Sequence, residues 1–181
     1  MEIVIKRKKT FLRAQYEVHN KEGIIYTASR SILNFFSEIT LMEKGSSRPR
    51  MIIKENSGRS FSYDITRWDN NVLQIRPADN CYDCYCGDDL YKLYRNKGRK
   101  YSIYKNDVQV AWWDKNANSI LGENFYTIIA DKDADADLII SLCLVVDNGS
   151  GRGGTGSIFS TDLGYFGEEA KEFDDKWQPK N

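Results

Sequence analysis

The sequence predicts a mainly β fold, an antiparallel barrel or sandwich, with one helix buried near its C-terminal end. Three observations carry this reading. From the start to about residue 130, short runs of β-branched and aromatic residues alternate with turn clusters, and Pro is nearly absent from their interior. One hairpin-like unit recurs three times, as QYEVHNKEGIIYT at 15–27, SYDITRWDNNVLQI at 62–75 and KYSIYKNDVQVAW at 100–112. A single segment, DKDADADLIISLCLVVD at 131–147, then abandons alternation for a continuous apolar run.

Taken in order, the first strand falls at 3–6, where Ile and Val lead into charge. Each repeated unit has an aromatic-led alternating strand, a polar turn and a second alternating strand. The turns at 20–23, 69–71 and 105–107 are built from Asn, Asp, Lys, Glu and Gly. Asn, Asp and Gly tolerate the positive φ that tight hairpin turns require. Further strands are expected at 38–43, 50–55, 90–95 and 125–130, punctuated at 46–49 and 96–98. Many short strands at near-regular spacing are the pattern of an antiparallel barrel or sandwich.

The helix is expected over about 131–147. Asp131, Asp133, Asp135 and Asp137 stand directly before Leu138, Ile139, Ile140, Leu142, Cys143, Leu144, Val145 and Val146, a run interrupted only by Ser141. Acidic residues at a helix start accept from its free N–H groups and meet the positive end of its dipole, worth about 0.3–1 kcal/mol each in the first turn. Gly149 predicts the stop. A helix apolar on every side must be buried on every side. The run would span about 14 Å at 1.5 Å per residue, under half of a bilayer core, so it reads as a core helix and not a membrane span. A buried strand is the rival, since Ile and Val abound; the acidic lead-in favours helix. A Gly-rich linker is expected at 149–157 and an acidic, aromatic tail at 158–181. Phe159, Tyr165, Phe166, Phe173 and Trp177 give that tail the means to dock on the domain.

Composition excludes several functions. The chain has 181 residues, 26 Lys+Arg against 26 Asp+Glu, one His and 13% aromatic residues. That is one domain's length, too aromatic for a disordered chain. MEIVIKRKK puts its apolar residues before its charges and lacks a cleavage site, so no secretory signal is read and a cytoplasmic location with reduced thiols is expected. Zero net charge argues against a generally basic nucleic-acid binder. The zero is nonetheless a cancellation: residues 1–60 hold 12 bases and 6 acids, 61–110 hold 8 and 7, and 111–181 hold 6 and 13.

Motifs that suggest chemistry fail on spacing. Cys81, Cys84 and Cys86 form CYDCYC, but a structural zinc site wants a second ligand pair, and only distant Cys143 and His19 remain. The segment reads instead as a cysteine-bearing loop or strand end. GxGxxG occurs twice, at Gly149/Gly151/Gly154 and Gly151/Gly153/Gly156, without the strand and helix that a dinucleotide site requires. The spaced Asp residues lack the Gly and Glu of a calcium loop, with Ala136 and Leu142 in those places when counted from Asp131. His19, beside a turn, reads as solvated, and Cys143 lies in the most apolar run. No catalytic residue, metal or cofactor is assigned, and no enzyme is expected. Two basic clusters remain: Lys6, Arg7, Lys8, Lys9 and Arg13, and Lys92, Arg95, Lys97, Arg99 and Lys100, the second interleaved with Tyr91, Tyr94 and Tyr101. They suit anionic lipid headgroups or phosphate-bearing ligands; the rival reading is solvated strand edges, where Lys discourages edge pairing.

The hairpin pattern YxVxxxxGxxxY, then YSIYKNDVQVAWWDKN and FYTIIADKDADADLIISLCLVVD, resembles the LURP-one-related family. Those proteins belong with the tubby C-terminal-like and phospholipid-scramblase folds. The resemblance covers roughly 1–148 and is most specific over 101–147. It implies a closed antiparallel barrel of about twelve strands, threaded by the C-terminal hydrophobic helix. The CYDCYCGDD segment and everything after 148 depart from the pattern. No phosphoinositide-binding position of tubby proteins is matched, so no binding residue carries over. The resulting expectation is a non-enzymatic binding or scaffold domain that contacts an anionic membrane surface or a protein partner. The alternative is a small-ligand carrier or enzyme with a pocket at the barrel mouth, which a helix-filled barrel disfavours.

Overall fold

Residue alternation sets the architecture. In β1 (Glu2–Lys9), Ile3 and Ile5 are buried while Val4, Lys6 and Lys8 face outward. β4 (Glu38–Glu43) and β5 (Pro49–Glu55) bury Ile39, Leu41, Met51 and Ile53 in the same rhythm. Successive side chains of a strand point to opposite faces, so an alternating sequence makes a wall with one apolar side. A computed structural model describes residues 1–9, 13–31, 37–56, 62–69, 71–79, 81–118, 123–150 and 171–181; the side chains of Lys9, Arg13, Ser31, 116–118, 123–124 and 149–150 lie outside the description.

The remaining strands are β2 (Arg13–Asn20), β3 (Gly23–Ser31), β6 (Tyr63–Arg67), β7 (Val72–Pro77), β8 (Cys81–Cys86), β9 (Asp89–Arg95), β10 (Lys100–Lys105), β11 (Val108–Asn118) and β12 (Glu123–Ala130). Each pairs antiparallel with its sequence neighbour, and β1 pairs with β12 from Glu2↔Ile129 to Arg7↔Asn124, closing a twelve-stranded barrel. A closed barrel has no free edge to aggregate. The three repeated units are the hairpins β2–β3, β6–β7 and β10–β11. Asn106 and Asp107 carry φ of 48° and 66° in the β10–β11 turn, the left-handed conformation that these residue types tolerate.

Helix α1 (Ala136–Ser150) fills the barrel. Leu138 through Val146 are all buried, Ser141 included, whose hydroxyl donates to the Asp137 carbonyl at 2.8 Å. The helix starts later and ends later than the acidic run and Gly149 suggest. One cap is enough: the Asp135 carboxylate accepts from Leu138 N–H at 3.0 Å, and Asp137 lies in the first turn. Asp131 and Asp133 precede the helix, and Gly149 lies within its last turn instead of ending it. The Gly-rich stretch from 151 and the tail to 170 lie outside the described residues. Strand β8 is the element that sequence reading leaves as a loop or strand end; its Cys84 is buried, and all four cysteines are free thiols. No helix among the described residues is long and apolar enough to cross a membrane.

Candidate functional site

The two ends of the barrel differ in chemistry. At one end α1 begins, and its acids are held by the wall. Arg50 Nε donates to Asp137 at 2.6 Å, Tyr26 donates to the same carboxylate at 2.7 Å, and Arg67 pairs with Asp135. Burial first, then the bond to Asp137, pushes the Tyr26 hydroxyl well above the ordinary tyrosine range. At the other end α1 finishes in Asp147 and Asn148. Asp147 accepts from Arg7 at 2.9 Å, from Tyr16 at 2.8 Å and from Tyr126. Burial is the largest single influence on Arg7 and opposes its charge, but Asp147 together with Tyr16 and Tyr126 more than offsets it, and the guanidinium pKa is raised. Burial, reinforced by Asp147, drives the Tyr16 and Tyr126 hydroxyls upward. Asn148 donates to the Tyr63 hydroxyl at 2.5 Å and accepts from Ser37 at 3.1 Å. Sequence reading misses Asp147 and Asn148 as anchors, although a polar pair closing an apolar run is a visible signal.

The basic residues sort by strand geometry. Arg7 points inward to Asp147, while Lys6 and Lys8 point outward, Lys8 to Glu17 at 3.0 Å. Lys9 ends β1 and Arg13 begins β2, so both stand at the β1–β2 connection. In the second cluster Lys92 leans away, to Asp107 at 3.4 Å across the β10–β11 turn. Arg95, Lys97, Arg99 and Lys100 surround the β9–β10 turn, which Asn96 N–H closes onto the Lys100 carbonyl at 3.0 Å. Because every strand is antiparallel to the next, the β1–β2 and β9–β10 connections lie at the same barrel end, the one where α1 finishes. Only the β11–β12 hairpin stands between them.

Residues 171–181 run along the outer wall beside the second cluster. Asn96 donates to the Lys171 carbonyl at 2.9 Å, Phe173 meets Trp112 edge-on at 5.4 Å, and the Trp177 indole donates to the Gln109 carbonyl at 3.2 Å. Lys100 sits 4.3 Å from the Phe173 ring centroid. Further on, Lys180 N–H donates to the Asp131 carboxylate at 2.7 Å, and Lys132 N–H returns to the Lys180 carbonyl at 3.0 Å.

His19, read as solvated, has only 21% of its side chain exposed and lies 3.4 Å from Glu17, because β2 carries it into the sheet. Burial pushes the Cys84 thiol up to about 12, and burial with the Asp83 hydrogen bond pushes Cys81 up to about 11. Cys143, buried in α1, is also raised well above the ordinary thiol range by burial. All three are protonated at neutral pH and poor nucleophiles. Among the described residues no three His, Cys, Asp or Glu side chains converge as metal ligands.

A family model described as LURP-one-related matches residues 1–147. The chain belongs to the LURP-one-related family. The match ends inside the last turns of α1, so the whole barrel and most of its helix are the LURP-one-related unit, and the segment on the outer wall lies beyond it. No curated protein and no solved structure matches the chain.

Proposed function

We propose that this LURP-one-related barrel is a non-enzymatic, cytoplasmic binding domain, and that its basic end contacts anionic lipid headgroups. The observation that carries the reading is that the β1–β2 connection, flanked by Lys9 and Arg13, and the β9–β10 turn, with Arg95, Lys97, Arg99 and Lys100, lie at the same barrel end. Arg95 and Lys97 are exposed there, with Arg99 and Lys100 half-buried. Phosphate-bearing surfaces attract such groups with about 1 kcal/mol for each Lys or Arg near the surface. A ligand held inside the barrel finds little support, since α1 fills the lumen with buried side chains.

Co-sedimentation with phosphatidylserine-containing vesicles at low salt tests the proposal. Binding should exceed that to phosphatidylcholine vesicles and weaken as salt rises. Replacing Arg95, Lys97 and Arg99 together by Gln should weaken it about a hundredfold, at about 1 kcal/mol per charge. Lys21→Gln with Lys44→Gln, at the opposite end, should leave it unchanged. Equal sedimentation with both vesicle types, or equal loss from the two sets of changes, overturns the assignment.

A further inference from the structure

The outer wall under residues 171–181 departs from the pattern of the rest of the barrel. Outward positions elsewhere are open to solvent, as Gln74 and Arg76 on β7 are. On β10 the outward-facing Ser102 has no exposed surface and Tyr104 is 7% exposed, and beside them Asn96 is fully buried and Gln109 is 6% exposed. Tyr94, Tyr104 and Trp112 supply ring faces to this surface, and Lys171 lies 3.8 Å from the Tyr104 centroid. The segment therefore seats two aromatic side chains, Phe173 and Trp177, in a shallow polar and aromatic groove across β9, β10 and β11.

The seating is incomplete in one respect. Asn96 Oδ1, Ser102 Oγ and Gln109 Nε2 are buried there with no hydrogen-bond partner among the described residues. Buried polar atoms are nearly always paired, and a cluster of unpaired ones calls for an explanation. Here the acceptor, the hydroxyl and the donor all lie on the floor of one groove. They match what a polypeptide backbone offers, N–H and C=O groups along its length. The groove itself belongs to the family-matched part of the chain, whereas its occupant lies outside it.

We propose that the groove across β9–β11 is a docking site for a short peptide that turns between two aromatic side chains four residues apart, as residues 171–180 do at Asp174–Trp177, and that this segment occupies it in cis. A partner segment of this chemistry that also pairs Asn96, Ser102 and Gln109 displaces the tail. The tethered occupant competes at an effective concentration of about a millimolar, so the intact chain binds a free peptide weakly until that advantage is removed.

The test uses the full chain and a labelled synthetic peptide with the sequence of residues 171–181, read by fluorescence anisotropy. Phe173→Ala with Trp177→Ala empties the groove in cis, and this variant should bind the peptide at least tenfold more tightly than the unmodified chain. Adding Trp112→Ala should remove that gain. A doubly substituted chain with unchanged circular dichroism and melting that binds the peptide no better than a scrambled control overturns the proposal. Hydrogen exchange on the unmodified chain gives an independent reading. Millimolar peptide should speed exchange at the chain's own Lys180 amide at least severalfold, since its bond to Asp131 is lost on displacement, and unchanged protection there also overturns it.

Discussion

Arg7 and Lys8 are adjacent bases with opposite roles. Arg7 enters the lumen and faces a carboxylate that is 1% exposed, whereas Lys8 keeps 52% of its side chain in water against Glu17. Removing one partner of a buried pair strands the other, so Arg7→Leu should cost about 3 kcal/mol. Exposed pairs contribute about 0–1 kcal/mol, so Lys8→Ala should stay within that range. Urea denaturation of the two variants checks the contrast; equal costs would refute the buried assignment. Strand parity alone separates these residues in the sequence, since Ile3, Ile5 and Arg7 share a face. The identity of the partner was not legible, because Asp147 lies 140 positions away and no local rule links them.

Among the elements, α1 was the most legible and β8 the least. An apolar run that no surface can hide demands an enclosing wall, and the length of the run excludes a bilayer. Leu142→Asp should therefore abolish soluble expression, since its carboxylate would find no partner among lumen side chains. Leu142→Met, close in volume, should cost under about 1.5 kcal/mol. Asp135→Ala should cost about 0.5–2 kcal/mol through the lost cap, with Arg67 losing its partner besides. Thermal melts of Leu142→Met and Asp135→Ala and the yield of Leu142→Asp check this series. Strand β8 was obscured because Cys and Asp carry weak strand preference, and a threefold Cys cluster draws attention to metals. Its alternation is nevertheless present, with Cys84 inward and Tyr85 outward at 57% exposure.

At the scale of the whole molecule, the zero net charge is partly internal compensation. Acids from the C-terminal third, Asp137 and Asp147, enter a barrel whose wall offers Arg50 and Arg7 from the first sixty positions. The described tail covers β9–β11 and not those first strands. The barrel's closure was legible only through family resemblance, because alternating strands fit a sandwich equally well. The proton linkage of the fold follows from the tyrosines. Tyr16, Tyr26 and Tyr126 all have raised pKa values. Unfolded tyrosines ionise near pH 10, so above that the unfolded state binds fewer protons than the folded one. Their contribution is complete below about pH 10 and falls as pH rises through it. Near-ultraviolet titration should show fewer than the eleven tyrosines ionising before unfolding. Titration of all eleven near pH 10 with the fold intact would contradict this.

The helix that fills the barrel is made after every strand that encloses it. Chains emerge at about 5–20 residues per second, so the first strands wait on the order of ten seconds for their core to arrive. During that interval Ile3, Ile5 and the apolar side of each later hairpin have nothing to pack against. The β1–β12 seam likewise joins strands from opposite ends of the domain, which makes it a late and slow contact. Completion of this fold is thus tied to the end of its own synthesis, and the nascent chain is a natural client for chaperones.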